Sequence, residues 1–372
     1  MDKLLQSSYL LVDLGVIREN VRELCTELGS DVALIPVLKD NAYGLGAVPV
    51  ARVICENPAI RCVAVSQAAE GLELREAGIG QEILVMGNPL PFQLEAAIRA
   101  DLTLTCGRPG FLKELAETAR ALGVRARFQL KIDTGLHRIG IEPGELQDWV
   151  RDYQETERDL ELTGVYSHFS DAENAEVSKA EFQLFEACLA RLQEAGVPVP
   201  LRHMSASAST ECFPQYHLDA VRCGRRLLMD RTENPVGNIR EAASWRCYIT
   251  GIRPRKKGER LGYGGAVELE KDAVVATVSA GYGDGLHRRM GQVGAPVLIG
   301  GRRCRILSCC MDQCQVDVSG VDCQVGDVVT FFGYDEAGNF LASQEVAAMV
   351  NNYEGCGLTS ALSARVARVY TK

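Results

Sequence analysis

Between residues 32 and 222 the chain alternates between two hydrophobic periods. Short apolar runs recur at 32–38, 62–66, 82–86, 102–106, 127–132, 162–168, 201–205 and 220–222. Runs of this length, bounded by turn residues, predict buried strands. Between them, at 48–55, 68–77, 91–100, 110–122, 144–156 and 179–195, apolar residues return every three or four positions. That spacing predicts helices with one face on a core. Eight strands with helices between them predict an α/β fold, a (β/α)8 barrel of TIM type. Pro36 weakens the first strand, because proline cannot donate to a ladder. The helix after the last strand has the weakest pattern. A strand at 9–13 and a helix at 16–28 precede the set. That first strand is free to pair outside the barrel, with the C-terminal domain.

Past residue 240 the period changes. Short strands at 245–252, 273–279, 295–299, 303–308, 315–319 and 328–332 lie close together, separated by glycines and charged turns, with one helix near 343–350. This predicts a smaller, mostly antiparallel β domain. The expected division is a barrel over 1–238 and a β domain over 239–372, joined near 235–241.

Composition narrows the function classes. A chain of 372 residues has room for two hydrophobic cores. Its net charge is -9 and it has no basic block, which speaks against nucleic acid as a partner. No apolar run is long enough to cross a bilayer, and the N-terminus lacks the apolar core of a signal peptide. The expectation is a cytoplasmic enzyme or binding protein. The 14 cysteines then read as reduced thiols. The group Cys304, Cys309, Cys310, Cys314 and Cys323 has no C-x-x-C pair and no neighbouring histidine, so no metal is expected.

In a TIM-type barrel, active groups sit at the carboxyl ends of the strands. Lys39, Asp133, His168 and Arg222 all fall there. A lysine at the end of a buried strand can serve as an amine nucleophile, forming a Schiff base with an aldehyde cofactor. On its own segment it reads equally well as a snorkelling side chain. Taken singly, His168 also fits a structural histidine, Arg138 and Arg222 fit surface ion-pair partners, and Tyr43 and Tyr353 fit packing residues.

Five segments change that balance together: Leu38-Lys39-Asp40-Asn41-Ala42-Tyr43-Gly44, Lys131-Ile132-Asp133-Thr134-Gly135-Leu136-His137-Arg138, Ser167-His168-Phe169, Ala280-Gly281-Tyr282-Gly283-Asp284-Gly285 and Cys310-Met311-Asp312-Gln313. In this order and spacing they resemble the alanine racemase family of pyridoxal 5'-phosphate enzymes, over nearly the whole chain. The resemblance implies a barrel followed by a β domain and a head-to-tail homodimer with shared active sites. It implies Lys39 as the cofactor-bearing lysine and one base, and Tyr282 as the other base, reaching into the partner subunit. Arg222 matches the arginine facing the pyridine nitrogen, with His168 beside it. Tyr43, Ser207 and Tyr353 match the phosphate-binding hydroxyls, and the backbone of Gly224 and Arg225 matches further phosphate donors. Arg138 and Met311 match residues at the substrate carboxylate, and Lys131 a lysine that is often carbamylated.

The chemistry fits those roles. Racemisation removes the α-proton from one face and returns it to the other, and two opposed bases are the simple solution. A free tyrosine titrates at about 10, so a tyrosine base needs cationic help near neutral pH. The chain also departs from the family pattern. Asp40 stands for the usual alanine, Leu45 for a histidine, Ala206 for an asparagine, and Arg225 and Arg226 for apolar residues. The implied activity is interconversion of L- and D-alanine. The alternatives are a racemase preferring serine or a larger amino acid, and a non-catalytic carrier of the same cofactor.

Overall fold

The protein is described from a computed structural model over residues 6–229, 238–350 and 355–372. Strand β1 (Ser8–Asp13) pairs with strands from the far end of the chain. The next eight strands are β2 (Ala33–Pro36), β3 (Cys62–Val65), β4 (Glu82–Val85), β5 (Thr103–Cys106), β6 (Ala126–Lys131), β7 (Leu160–Tyr166), β8 (Arg202–Ala206) and β9 (Ala220–Cys223). They form one parallel sheet in the order β2-β9-β8-β7-β6-β5-β4-β3. A parallel bridge between Val37 and Ala64 brings the two edge strands together, with Leu38 N donating to Ala64 O at 2.7 Å. The result is the (β/α)8 barrel that the alternation predicts. It lies in a unit made of 21–42 and 47–227.

The strands are short because only their buried stretches join the ladder. Val63, Ala64, Ile83, Leu84, Leu104, Phe128 and Leu130 are fully buried. Pro36 is the last residue of β2, where its missing N–H removes no central ladder bond, and the next donor, Val37 N, bonds Cys223 O. The helices between the strands include Ala47–Ile54, Ala68–Glu76, Phe111–Leu122, Leu146–Thr156 and Ala175–Glu194. Two short turns not marked by any apolar period, Ser207–Cys212 and Arg225–Leu228, follow β8 and β9.

The second unit comprises 1–20, 43–46 and 228–372. Its strands are β10 (Ala243–Arg255), the small hairpin β11 (Arg260–Leu261) and β12 (Val267–Glu268), β13 (Ala273–Val278), β14 (Pro296–Ile299), β15 (Arg302–Cys309), β16 (Cys314–Asp317), β17 (Val328–Tyr334), β18 (Phe340–Leu341) and β19 (Ala367–Thr371). The order β10-β13-β16-β15-β14-β17 returns to β10, because β17 also pairs with β10. The antiparallel sheet therefore closes on itself, and β10 bends through two register shifts to serve both neighbours. β1 is inserted between β10 and β19, antiparallel to one and parallel to the other. Trp245 anchors this core, stacked on Phe331 at 4.5 Å and donating its indole N–H to Ser8 Oγ at 3.0 Å.

No helix among the described residues is long and apolar enough to cross a membrane. All 14 cysteines are free thiols.

Leu10 is fully buried in β1, opposite Trp245 on one side and Arg368 on the other. Leu10→Ala is expected to lower stability by about 2–5 kcal/mol through lost contact and the cavity left behind. The measurement is the denaturant midpoint, with the slope unchanged.

Candidate active site

Lys39 follows β2, and the backbone behind it does something unusual. Asp40, Asn41, Ala42 and Tyr43 have φ of 56°, 54°, 52° and 55°, a left-handed turn built from four non-glycine residues. Each such residue costs roughly 1–2 kcal/mol, least for Asp and Asn. Asp40 in place of the alanine usual in the resembling family therefore suits this backbone. The turn is held by Ala42 N on Leu38 O at 2.9 Å, by Asp40 N on Glu70 Oε1 at 2.5 Å, and by Ala47 N on Asn41 Oδ1 at 2.7 Å. Its far end, 43–46, belongs to the β unit. There Arg368 Nε donates to Gly44 O at 2.9 Å and Tyr370 Oη to Leu45 O at 3.0 Å. Gly44 must be glycine, since a β-carbon there would run into the carbonyl of Thr359.

Arg222, on β9, is 3% exposed. One terminal nitrogen meets His203 Nδ1 at 2.6 Å; the other meets Ser167 O at 2.8 Å, Met204 O at 2.9 Å and His168 Nδ1 at 3.1 Å. Every partner is neutral, and Nε has no acceptor among the described residues. Burial lowers the Arg222 pKa to about 10, still cationic at neutral pH. A guanidinium only donates, so both histidines must offer a bare Nδ1 and carry their proton on Nε2. His203 passes that proton to Gln129 Oε1 at 2.8 Å. Burial, then the Arg222 charge, hold His203 and His168 well below the usual imidazole range. Tyr166 stacks on His203 at 4.8 Å and lies under the guanidinium at 5.1 Å.

Lys131 ends β6 and is 5% exposed, its Nζ donating to Ile139 O at 2.8 Å. Burial, and then the charges of Arg138 and Arg222, bring its pKa down to about 8. Arg138 is itself exposed. Asp133, beside it in sequence, is a turn holder: its Oδ1 accepts from Gly135 N and His137 N, both at 3.0 Å.

Ser207 opens the short turn after β8, and its Oγ accepts from Gly224 N and Arg226 N, each at 3.3 Å. The barrel unit thus brings a hydroxyl and two backbone donors to one point. Arg225 lies between those donors, half-buried. Arg226 turns its side chain away, 4% exposed, with ion pairs to Glu27 at 2.5 Å and Glu211 at 2.9 Å. It offers a backbone N–H here and no charge.

In the β unit, the segment 281–285 and the tip of the β15–β16 hairpin are bound together. Tyr282 N donates to Cys310 O at 3.0 Å and Gly283 N to Met311 O at 2.7 Å. Gly281 permits the approach, because a β-carbon would strike the Met311 backbone. Asp284, 3% exposed, secures the turn by accepting from Gly281 N at 2.9 Å and Arg365 Nε at 3.0 Å. Tyr282 is half-buried with the Arg288 guanidinium 4.8 Å from its ring centre, while Met311 is 56% exposed. Tyr353 lies outside the described residues.

The sequence reading noted His203 only as a histidine kept in the segment before Ser207, with no role, and passed over Gln129, Tyr166, Glu70 and Tyr263. Gln129, Tyr166 and Glu70 lie inside strands or a helix and carry no local signal. Tyr263 does carry one: Gly262-Tyr263-Gly264-Gly265 joins β11 to β12, all three glycines have positive φ, and the tyrosine is 75% exposed.

The chain is similar to known proteins over nearly its whole length. Residues 12–232 match the family model "Alanine racemase, N-terminal domain" and residues 242–370 "Alanine racemase, C-terminal domain". A protein named alanine racemase from Desulforamulus reducens is 35% identical over 369 residues, covering 96% of this chain and 97% of that one. One from Methanococcus maripaludis is 33% identical over 376 residues, with 96% and 97% covered. Among solved structures, alanine racemase of Clostridium difficile 630 superposes with a TM-score of 0.91 at 29% identity, covering 99% of this chain and 97% of that one. The Bacillus anthracis enzyme, solved with bound L-Ala-P, gives 0.90 at 29% identity, with 99% and 95% covered.

His203 stays neutral when folded and titrates near 6.5 when unfolded. Below that value the unfolded chain binds the extra proton, so stability falls as pH falls. The slope contributed by His203 grows as pH falls below 6.5, towards a limit of about 1.4 kcal/mol per unit. Denaturant titrations across that range measure it, and His203→Gln should remove that share of the slope.

Proposed function

The chain belongs to the alanine racemase family, and from that membership we propose that it interconverts L- and D-alanine with pyridoxal 5'-phosphate. The observation that carries the reading is Arg222: a buried guanidinium caged by neutral acceptors, with its Nε–H meeting no acceptor among the described residues. That donor fits the unprotonated nitrogen of a pyridine ring. The Ser207, Gly224 and Arg226 cluster fits a phosphate, and the backbone N–H of Arg225 is the neighbouring donor. Tyr43 and Tyr353 would add phenol donors. Lys39 would bear the cofactor covalently. When bound, the cofactor withdraws electron density from the substrate Cα, so that its proton becomes removable. An arginine that keeps the ring nitrogen unprotonated moderates that withdrawal and limits side reactions.

The chain's own groups do the rest. Arg138 and the Met311 backbone hold the substrate carboxylate; the Met311 carbonyl already accepts from Gly283, so the amide N–H is the donor. Lys39 Nζ exchanges the α-proton on one face. A tyrosine exchanges it on the other, supplied across a homodimer. Tyr282 is one candidate, with Arg288 stacked on it as a cationic helper. Tyr263 is the second, favoured by exposure: a base that works in a neighbouring subunit has to stand clear of its own, and Tyr263 is 75% exposed in a turn whose three glycines have positive φ.

Lys131 has a further role in this reading. With its pKa near 8, part of the amine is neutral at physiological pH. The neutral nitrogen adds to carbon dioxide and releases one proton, giving a carbamate. A cation wedged between Arg138 and Arg222 then becomes an anion that pairs with them.

Incubation of the cofactor-loaded protein with L-alanine, D-alanine and a panel including serine and lysine should give the opposite enantiomer fastest for alanine. No turnover of alanine would sink the assignment. The active tyrosine is identified by replacing each with phenylalanine: the correct change should slow α-proton exchange from one enantiomer by at least about a hundredfold, and the other change should leave the two directions in balance. For Lys131, carbon-13 carbon dioxide should give a carbamate resonance that grows as pH rises through about 8 and is missing in Lys131→Ala. Its absence from the unmodified chain would rule out that role.

A further inference from the structure

We propose that Glu70 is a positioning residue for Lys39, its carboxylate fixing the left-handed turn from which the lysine projects. The inference rests on the role of Lys39 given above. Glu70 is the third residue of the helix Ala68–Glu76, which follows β3. One carboxylate oxygen, Oε2, accepts from Ser66 N at 2.7 Å and Gln67 N at 2.9 Å, an ordinary cap on that helix. The cap needs nothing more. The other oxygen, Oε1, reaches 30 residues back in sequence to Asp40 N at 2.5 Å.

The place of that bond gives it its effect. β2 and β3 are joined by the Val37–Ala64 bridge and by Leu38 N on Ala64 O at 2.7 Å. Beyond Leu38 the backbone turns left-handed and can no longer follow a ladder. Glu70 continues the attachment with a side chain, at the first residue after Lys39 and the first with positive φ. A strained conformation persists only where its surroundings fix it. Asn41 and the Ala42 N–H hold the later residues of the turn. Glu70 holds its entry, the point where a change of ψ at Lys39 or of φ at Asp40 would swing the lysine.

Glu70→Gln separates the two functions of the carboxylate. The amide oxygen can still cap the helix, while the NH2 group then faces the Asp40 N–H, donor against donor. Ala68→Gly is the control: it weakens the start of the same helix without touching Asp40. On the cofactor-free chain, amide exchange in 40–43 should rise about ten- to a hundredfold in Glu70→Gln and stay unchanged in Ala68→Gly. On the chain loaded with pyridoxal 5'-phosphate, Glu70→Gln should lower kcat about tenfold, with KM for alanine within about twofold. It should also shift the pH dependence of the absorbance of the Lys39-linked cofactor. Unchanged exchange in Glu70→Gln, or an equal loss of kcat in Ala68→Gly, would overturn the proposal. If exchange rises as expected but the unmodified chain racemises nothing, the hold on the turn stands and the functional reading fails instead.

Discussion

The barrel unit is organised around a buried positive charge. Arg222 has no carboxylate partner among the described residues, an arrangement that usually costs several kcal/mol. The fold answers with lone pairs: two backbone carbonyls and two imidazole nitrogens. Each answer imposes a further condition. The imidazoles must be neutral, His203 must hand its proton to Gln129, and Tyr166 must lie flat against His203. Lys131 is buried beside the same charge, and burial first, then the charges of Arg138 and Arg222, bring its pKa down to about 8. A site with this much buried positive charge is electrostatically suited to anionic ligands.

The same ladder that buries Arg222 also locates Lys39. Ile35 is in register with Arg222 where β2 pairs with β9, and the lysine lies four residues further along. Strand pairing fixes the neighbourhood of the two groups, but not the direction of the lysine. Direction comes from the left-handed turn, and that turn is expensive in backbone energy. It is tied from the barrel side through Glu70 and Asn41, and at its other end by Arg368 and Tyr370. Strain next to a reacting group is where pre-organisation is expected.

Much of this was legible in the sequence, for identifiable reasons. All eight barrel strands announce themselves as apolar runs, because a parallel sheet covered on both faces needs them. The strand at 9–13 reads as an outsider to that pattern, and it pairs with β10 and β19. The left-handed turn was not legible, since hydrophobic pattern carries no information about the sign of φ; only the Asp40-Asn41 pair hints at it. His203 could be noted in the sequence but its role could not, and Gln129 was hidden inside an apolar strand, where a polar residue signals a partner without naming it. Gly-Tyr-Gly occurs at both 263 and 282; the sequence reading took up only Tyr282, and the exposure of Tyr263 is visible only in the folded chain.

The departures from the family pattern can now be weighed by what they touch. Asp40 falls on a residue whose backbone favours it over alanine. Leu45 is fully buried and takes part through its carbonyl, which any residue supplies. Arg226 directs its charge to Glu27 and Glu211, so it adds no cation beside the phosphate-sized cluster at Ser207. Ala206 keeps its backbone bonds to Ser209 and Thr210, the contacts that start the turn behind Ser207. Each of these four changes is thus absorbed by backbone geometry or by an ion pair. None of these changes replaces Lys39, Lys131, Arg138 or Arg222, the residues on which the proposed chemistry rests. Departures of this kind alter how the scaffold reaches its shape while leaving the reaction class in place.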